Sequence, residues 1–591
     1  MMKVLVHFFT FIAILQLSST FQTPTETFQH ELILKTPDIY KVFWKYNEVD
    51  ITFEVHVKTK GWIGFGISPN GGMAGSDMIL AWFANGKPVL EDRHAIGEQE
   101  PLLDEKQDWK LLLGKETDDY TVMKFRRKLI TCDENDRIIT GNSTMRLIWA
   151  YNDIKPSEKI IKHGTNNKGT KSVSLINLAK TINQEERLKD TFTYDIRNSN
   201  FSLPHDRDTF YRCEIFKIPP MIEKHHVISA KAILDEKHSQ ILHHILVYSC
   251  HHAVDDSHVG ISYECYNNET NMADHLNGCD TVIFAWAVGG EQEFFPEDVG
   301  FPLGGSDKPL YVRMETHYDN PFGVKNVIDQ SGVKLWLTKK LKKYDQAVLE
   351  VGHTVGPYQI IPPKTEEFIT LGHCSEECLN EAFKENKLEE VKIFSVMLHA
   401  HLKGVKMRLR HYRGDEEIEP ITYDDSYDFN YQDYKLMKPM KVLKKGDRLT
   451  LECYYNTKTD SETIQGGLST RDEMCLAYIR YYPKISLAHC QSNPNMEKIS
   501  TAYKSIKEKG WTKELKVEYQ EFVKKPEFVA VCTGNAKTFP INEKTIKLPK
   551  VKKNYLPPDF CKLITPSSSS TIHPSVTLFV TLFSYYSYVI Y

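Results

Sequence analysis

The 591-residue chain is 41% hydrophobic and 26% charged, a composition that is ordinary for globular protein and a length sufficient for three or four domains. Its formal net charge of -4 offers no electrostatic basis for binding a nucleic-acid backbone. No nucleic-acid partner is therefore expected.

Residues 1–20 have the pattern of a secretory signal peptide. Lys3 precedes a mainly apolar run, and small residues follow it. The run is shorter than the ~18 to 20 residues that a membrane span needs, so a cleaved signal is favoured over an N-terminal anchor. The sequence therefore predicts that the chain enters the secretory pathway.

Residues 30–152 alternate apolar and polar side chains in short runs separated by turn residues, as in 50–58. This alternation predicts an antiparallel β sandwich. Two ligand sites are possible within it, although core methionines and an exposed histidine are the favoured interpretation. A haem would use Met73, Met78 and His94, and a structural cation would use Asp77 and Asp108.

The rest of the chain predicts a mainly β protein. A polar segment, 153–195, is expected to be a linker, and strand-like runs then recur over 196–350 and 355–525. Helical periodicity is confined to short pieces, Glu376–Leu388 and Asn495–Lys509. We therefore expect two further β sandwiches side by side, followed by a C-terminal segment at 526–566.

Residues 574–591 form an uncharged hydrophobic tail behind a serine-rich patch. As a helix, the apolar run from Val576 would be about 24 Å long, short of the ~30 Å hydrocarbon core of a bilayer. Small residues before a terminal apolar tail also fit a lipid-anchor signal. A single C-terminal span, a lipid anchor and an ordinary soluble terminus all remain open.

The cysteine content supports an oxidising compartment. The even number, twelve, predicts disulfides in a secreted chain, but the count alone leaves their connectivity open. A competing interpretation is a zinc site at Cys374, Cys378 and the neighbouring His373. Three glycosylation sequons agree with secretion, and they lie at Asn142, Asn200 and Asn268.

Two clusters of potential metal ligands stand out. The first is the doublet His243-His244, for which His317, before an Asn-Pro turn, is the best third ligand. Adjacent residues of a strand point to opposite faces, so the doublet can hold one ion only if the strand bends or twists there.

The second cluster combines the same-face pair His399 and His401 with Met474. Imidazole suits copper and zinc, whereas the soft thioether of methionine favours reduced copper. Together the two clusters predict two copper sites.

The segments around these ligands resemble the copper type II, ascorbate-dependent monooxygenases over roughly residues 190–530. The resemblance is strongest to the dopamine-β-hydroxylase-like (MOXD-type) members, because residues 30–152 also resemble the DOMON domain that precedes their copper region. It implies jelly-roll-like copper domains at 196–350 and 355–525. The matching segments are His243–Tyr248, Met314–Pro321, His399–Leu402 and Glu473–Cys475.

The resemblance also implies a reaction. The copper at His243, His244 and His317 would store an electron from ascorbate, while the copper at His399, His401 and Met474 would bind dioxygen and hydroxylate the substrate. His399 is thereby expected to be catalytic, and Tyr211 matches an active-site tyrosine of the family. A buried core position explains Tyr211 equally well.

The family pattern further implies six disulfides and leaves no cysteine for a covalent dimer. The implied pairs are Cys132–Cys561, Cys213–Cys265, Cys250–Cys279, Cys374–Cys490, Cys378–Cys532 and Cys453–Cys475.

The substrate is less defined than the metal sites. Peptide-amidating relatives hold a peptide carboxylate with an arginine and an asparagine where this chain has Met397 and Leu476, so amidation is disfavoured. A small, phenethylamine-like substrate fits better, although Lys403 would oppose an ammonium group if it turned inward. The alternative is a catalytically silent copper-binding or adhesion protein of the secretory surface.

Overall fold

The computed structural model describes residues 23–562, apart from 142, 158, 177–183, 236–240, 251–253, 266–277, 321, 526, 535–536 and 560. The expected signal peptide, the hydrophobic tail and the sequons at Asn142 and Asn268 lie outside the described residues. Among those described, no helix is both long enough and apolar enough to cross a bilayer.

The first domain is a sandwich of two antiparallel sheets. Its strands are β1 (His30–Lys35), β2 (Tyr40–Tyr46), β3 (Asp50–Val57), β4 (Trp62–Ser68), β5 (Ser76–Ala84), β6 (Lys87–Ala95), β7 (Leu102–Leu103), β8 (Lys110–Glu116), β9 (Thr121–Lys128), β10 (Met145–Asn152) and β11 (Lys168–Val173). The strand orders are β1-β2-β3-β9-β8 and β11-β10-β4-β5-β6-β7. Inward aromatic side chains, including Phe53, Trp109 and Phe125, fill the space between the sheets.

Strand β11 lies inside the segment that the sequence predicts to be a linker. It pairs with β10 from Met145↔Val173 to Ala150↔Lys168, so the first sandwich continues past residue 152. The polar composition misleads here because β11 is an edge strand, and edge strands bury only one face.

The second domain is another sandwich. Its elements are α1 (Gln184–Leu188), β12 (Phe192–Arg197), β13 (Phe201–Ser202), β14 (Thr209–Ile218), β15 (Met221–Ile233), β16 (Leu242–Cys250), a 3-10 turn (Asp256–His258), β17 (Ser262–Glu264), β18 (Cys279–Ala287), β19 (Glu293–Phe294), β20 (Val299–Ser306), β21 (Leu310–Asp319), β22 (Ile328–Asp329), β23 (Gly332–Thr338) and β24 (Tyr344–Asp345). One sheet has the order β12-β23-β15-β20-β24 with β19 on β15, and the other β17-β14-β21-β16-β18. The second sheet carries the expected first metal cluster.

The third domain carries the second cluster. Its strands are β25 (Ala347–His353), β26 (Ile360–Ile361), β27 (Phe368–Cys374), β28 (Glu390–His399), β29 (Gly404–Arg413), β30 (Glu416–Asp424), β31 (Lys435–Lys444), β32 (Asp447–Tyr455), β33 (Ile464–Gln465), β34 (Leu476–Tyr482), β35 (Leu487–Pro494), β36 (Glu527–Gly534), β37 (Lys537–Thr538) and β38 (Thr545–Lys547). The orders are β31-β28-β34-β25-β35-β36-β37, with β38 on β36, and β27-β32-β29-β30.

Three helices belong to this third domain: α2 (Glu376–Asn386), α3 (Met496–Lys509) and α4 (Lys513–Val523). The first two fall where helical periodicity predicts them. Helix α4 was not predicted from the sequence, because its side chains are mostly exposed or half-buried. Its start is fixed locally, because the Thr512 hydroxyl accepts a hydrogen bond from the Leu515 amide at 3.1 Å. The mainly β fold with an N-terminal sandwich is confirmed.

The second and third domains share an apolar contact. Phe394 and Tyr482 of the third domain are buried in the core cluster of the second, and Phe394 lies 6.1 Å from Phe295 between ring centroids. Burial of this aromatic surface holds the two sandwiches side by side. The sheets that carry the two histidine clusters therefore face a common space.

All twelve cysteines are paired in disulfides, in the six pairs that the family pattern implies. The bonds are Cys132–Cys561, Cys213–Cys265, Cys250–Cys279, Cys374–Cys490, Cys378–Cys532 and Cys453–Cys475. The zinc alternative is wrong, because both cysteines that it requires are consumed in disulfides. The bonds indicate an oxidising, secretory environment.

The structure does not place His94 beside the two methionines of the haem alternative. Met73 and Met78 line a cavity of about 400 Å³ on the outer face of the first domain, whereas the ring of His94 is bound to the Asp104 carboxylate. Asp77 lies in a group of carboxylates with Asp92 and Asp136, rather than with Asp108, and their oxygens are within 4.8 Å of one another. Its carboxylate pairs with the Arg127 guanidinium and accepts a hydrogen bond from an indole N–H.

Removing the Cys132–Cys561 disulfide should destabilise the folded chain. The bond joins residues 429 positions apart, and its loss restores chain entropy to the unfolded state. We expect the double variant Cys132→Ala/Cys561→Ala to lose about 2 to 5 kcal/mol of unfolding free energy in non-reducing denaturant titrations. An unchanged denaturation midpoint would contradict this.

Candidate metal centres

A β-bulge lets the doublet His243-His244 act from one side of its strand. The pairing of β16 with β21 shifts register between Leu242, opposite Tyr318, and His244, opposite His317. His243 is the extra residue, and such an insertion bends the strand and re-aims its side chains. The bulge supplies the bend that the sequence analysis required.

Three imidazole nitrogens converge at this bulge. The Nδ1 atom of His244 lies 3.3 Å from Nδ1 of His243 and 3.4 Å from Nδ1 of His317. Nitrogens bound about 2.0 Å from one ion would be separated by about 3.3 to 3.5 Å. The three histidines therefore have the spacing of one metal site.

In His243 and His317 the Nε2 atom is hydrogen-bonded to other groups, which leaves Nδ1 to act as a metal ligand. The Nε2–H of His243 donates to the Phe429 carbonyl oxygen at 3.2 Å. His317 Nε2 lies 2.9 Å from the hydroxyls of both Thr209 and Thr470. Such outer contacts fix ring orientation and tautomer at metal sites. Phe429 and Thr470 belong to the third domain, so this centre is completed across the domain boundary.

In the second cluster the roles of the ring nitrogens are reversed, with Nδ1 hydrogen-bonded and Nε2 facing the metal site. His399 ends β28, and its Nδ1–H donates to Gln432 Oε1 at 2.7 Å. The Nδ1–H of His401 donates to the Asp472 carbonyl at 3.1 Å. Both rings therefore present an unprotonated Nε2, with ring centroids 5.1 Å apart.

Met474 is held beside these rings by its backbone. The buried carboxylate of Glu473 accepts hydrogen bonds from the amides of His401 at 2.9 Å and Met474 at 3.2 Å. The Tyr455 hydroxyl donates to the Met474 carbonyl at 2.7 Å, and the Cys453–Cys475 disulfide anchors the next residue. These contacts fix the backbone of Met474 near that of His401, and its side chain lines the same cavity as His399.

Burial keeps several of these imidazoles neutral. It lowers the pKa of His399 to about 4 and places the pKa values of His243, His317 and His401 well below the usual range, with neighbouring histidines adding repulsion. Neutral imidazole is the form that binds metal. These four imidazoles are therefore in the metal-binding form at neutral pH.

The two clusters lie against each other. The rings of His244 and His399 are 6.1 Å apart between centroids, and Phe429 stacks on His243 at 3.9 Å. A cavity of about 510 Å³ opens beside both clusters. It is lined by Tyr211, His244, Leu246, Tyr248, Gly278, Cys279, Trp286, Ala287, Arg313, Glu315, Glu350, Val355, Met397, His399, Leu468, Met474, Leu476, Tyr478 and His489.

Tyr211 lines this cavity and stacks on His317. The two rings are parallel within 7° at 4.0 Å, as expected for residues paired directly across β14 and β21. Burial raises the pKa of the Tyr211 phenol well above its usual value. The side chain is therefore an uncharged wall of the cavity in contact with a candidate ligand.

Lys403 does not reach the cavity. Its ammonium group pairs with the Asp460 carboxylate at 2.7 Å, on the other side of the loop after His401. The objection raised by Lys403 is therefore removed, and the charged side chains that line the cavity are Arg313, Glu315 and Glu350. Met397 and Leu476, which replace polar residues of peptide-amidating relatives, line an apolar part of its wall.

Comparisons with known proteins agree with this geometry. Residues 37–152 match the DOMON domain, and residues 194–325 and 344–503 match the N-terminal and C-terminal domains of copper type II ascorbate-dependent monooxygenases. DBH-like monooxygenase protein 1 of Homo sapiens is 42% identical over 80% of this chain and 76% of its own length. The chain belongs to the copper type II ascorbate-dependent monooxygenase family. Dopamine beta-hydroxylase of Canis lupus familiaris is 30% identical over 76% of this chain and 70% of its own length.

The donor set fits the metal of this family. Three imidazoles at one centre and two imidazoles with a thioether at the other are soft to intermediate ligands, which suit copper better than calcium or magnesium. The family membership thus agrees with the chemistry of the residues that the structure brings together.

Several residues around the copper ligands were missed by the sequence analysis. Phe429, Gln432 and Thr470 contact ligands from loops, and no spacing rule connects them to histidines 30 to 190 positions away. Glu473 had a signal, because an acidic residue directly before a buried methionine needs buried partners. Long-range side-chain contacts of this kind become visible only in the fold.

Removing the acceptor for His399 should weaken the second centre. In Gln432→Leu, the Nδ1–H of His399 loses its partner, and losses of 10- to 100-fold in metal affinity are typical for such changes. We expect the Cu(I) dissociation constant of this site to rise by about that factor in competition titrations with a chelator. Gln292→Leu, which removes an amide that donates to the Ser229 hydroxyl at 2.9 Å on the other sheet of the second domain, is the matched control. Equal affinities in the two variants would contradict the assignment.

Proposed function

We propose that the chain is a copper- and ascorbate-dependent monooxygenase with two copper ions, one held by His243, His244 and His317 and one by His399, His401 and Met474. The observation that carries the proposal is that two unlike donor sets face one cavity large enough for a small molecule. When bound, copper would supply electron storage at the first centre and activation of O2 at the second, with ascorbate as electron donor.

The different donors support this division of labour. An all-imidazole centre accommodates both oxidation states of copper, whereas thioether ligation favours the reduced ion that reacts with oxygen. His399 and Met474 border the cavity directly, so the hydroxylated carbon would lie on their side. The short separation of His244 and His399 keeps the two centres within electron-transfer reach.

We propose that the substrate is a small aromatic amine. Met397, Tyr478 and Glu350 lie in one row across β28, β34 and β25, and His399 is two residues along from Met397 on the same face. Strand spacing therefore places Glu350 and His399 about 12 Å apart between Cα atoms. With its ammonium group beside the Glu350 carboxylate, a phenethylamine-sized molecule would extend past Tyr478 toward the second copper centre.

Tyr211 would act through its ring. The ring packs against His317 and closes the cavity, and its raised pKa prevents the phenol from serving as a base near neutral pH. We therefore expect Tyr211→Phe to keep most of the turnover and Tyr211→Leu to lose copper affinity at the first centre. A large loss of turnover in Tyr211→Phe with intact copper binding would assign a catalytic role to the hydroxyl.

We also propose that the enzyme works in the secretory pathway, in a lumenal or extracellular compartment. The six disulfides support this location. In this proposal the signal peptide is removed, residues 574–591 tether the chain to the membrane as a single span or through a lipid anchor, and Asn142, Asn200 and Asn268 carry glycans.

The thioether should be needed for hydroxylation but not for the first copper. Met474→Leu conserves volume, so we expect an intact fold, one retained copper ion and loss of the copper–sulfur signal in X-ray absorption. Oxygen uptake with ascorbate and a panel of phenethylamines and amidation precursors should fall at least 100-fold. Unchanged product formation would remove Met474 from the site. If copper-loaded wild-type protein oxygenated no compound of the panel, the silent copper-binding alternative would be favoured.

Glu350 should select for cationic substrates. In Glu350→Gln, we expect the KM for amines to rise at least tenfold with little change for neutral analogues of the same shape, because only the ion pair is lost. Glu389→Gln, at an exposed position, is the matched control. A similar rise of KM for neutral and charged compounds would contradict a charge-specific role.

A further inference from the structure

In the described part of the chain, the hydrogen bonds from the first domain to the third domain go to Asp424–Gln432, the last residue of β30 and the irregular chain that follows it, which we call the bridging segment. At its start, the Thr144 hydroxyl and amide of the first domain both donate to the Asp424 carboxylate, at 2.6 and 3.0 Å, and this contact is fully buried. Arg146 donates to the Tyr427 carbonyl at 2.7 Å.

Strand β11 of the first domain and the residue that follows it contact the rest of the segment. The Ser172 hydroxyl donates to the Asp428 carboxylate, and the Ser174 amide donates to the Tyr431 hydroxyl at 3.0 Å. The side chain of Arg146 also lies 4.0 Å from that Asp428 carboxylate. Contacts from β10 and β11 thus follow the bridging segment along most of its length.

The opposite side of the bridging segment contacts both candidate copper centres. Phe429 stacks on His243, and its carbonyl accepts from the same ring. Gln432 accepts from His399 and donates to the Phe429 carbonyl at 2.7 Å, which links the two contacts. The Tyr427 hydroxyl bonds the amide and the carbonyl of Ala400, the residue between the two histidines of the second centre, at 2.9 and 2.5 Å.

The bridging segment has little regular structure of its own to fix these positions. It connects β30 to β31, and the described part of it contains one isolated bridge, between Asp428 and Tyr431. Its conformation therefore depends on partners at its two sides. Metal ligands need their supporting groups placed within about 0.5 Å, so a shift of this segment would disturb both centres together.

We propose that the first domain positions the ligands of both copper centres, through Arg146 and Ser172 acting on the bridging segment. This inference rests on the proposed function, because it requires that the two centres bind copper. It gives the N-terminal sandwich a role in the reaction, although the described side chains that line the substrate cavity all come from the second and third domains. Arg146 and Ser172 are positioning residues, since they act through Tyr427, Phe429 and Gln432.

The test compares the full-length variant Arg146→Ala/Ser172→Ala with Arg126→Ala. Arg126 is an equally charged, more exposed residue on β9 in the other sheet of the same domain, 4.0 Å from Asp50. Thr144 is left unchanged because it is also the hydroxyl residue of the Asn142 sequon. The measurements are Cu(I) affinity of each centre, by chelator competition, and the Cu(II) electron paramagnetic resonance spectrum.

We expect the double variant to bind copper at least fivefold more weakly at both centres and to show changed copper hyperfine couplings, while Arg126→Ala matches the wild type. Arg146→Lys should recover part of the affinity, because an ammonium group can still donate to the Tyr427 carbonyl. Affinities and spectra equal to those of Arg126→Ala would overturn the inference, as would weakening confined to one centre.

Two further measurements distinguish a folding defect, or a failure of copper binding, from a failure of the positioning role. If the double variant fails to fold, Ser172→Ala alone, which removes a half-buried hydroxyl, is judged by the same two readouts. If the wild-type chain itself fails to bind two copper ions, the proposed function fails, and that result is distinguishable from a failure of the positioning role.

Discussion

Four of the five clustered imidazoles, those of His243, His317, His399 and His401, have pKa values lowered by burial, and the rest of the site depends on their staying neutral. Repulsion among several imidazolium groups in a desolvated pocket would exceed what the surrounding packing provides. The structure meets the constraint by giving ring N–H groups neutral oxygen acceptors, such as the Phe429 carbonyl, the Gln432 amide and the Asp472 carbonyl. Those acceptors also direct the lone pairs, Nδ1 at the first centre and Nε2 at the second.

The same acceptors explain why the domains cannot be treated as independent. The first centre lies on the second domain, yet its His243 and His317 depend on oxygen atoms of the third. The aromatic contact through Phe394 and Tyr482 fixes how the two sandwiches face each other, and hence the size of the cavity beside the two centres. Packing far from the ligands therefore influences the geometry of the chemistry.

The metal ligands could be predicted from the sequence, but their three-dimensional arrangement could not. Residue type and same-face spacing were sufficient to select His399, His401 and Met474, because ligand chemistry restricts the choice of side chains. The doublet His243-His244 was identifiable, but the bulge that makes it usable depends on pairing with a strand some 70 residues later. Disulfide connectivity came only from the family pattern, because twelve cysteines permit many pairings. Edge strand β11 and helix α4 were missed because their composition is that of solvent-facing chain.

The disulfide between Cys132 and Cys561 has a consequence for biosynthesis. Its second cysteine is translated 429 residues after its first, so the bond cannot form until all three sandwiches have left the ribosome. During that interval Cys132 lacks its final partner, and the first domain depends on its own core. Closure of this bond therefore requires that the segment around Cys561 has been synthesised and lies against the first domain, so the bond reports the correct docking of these two parts of the protein.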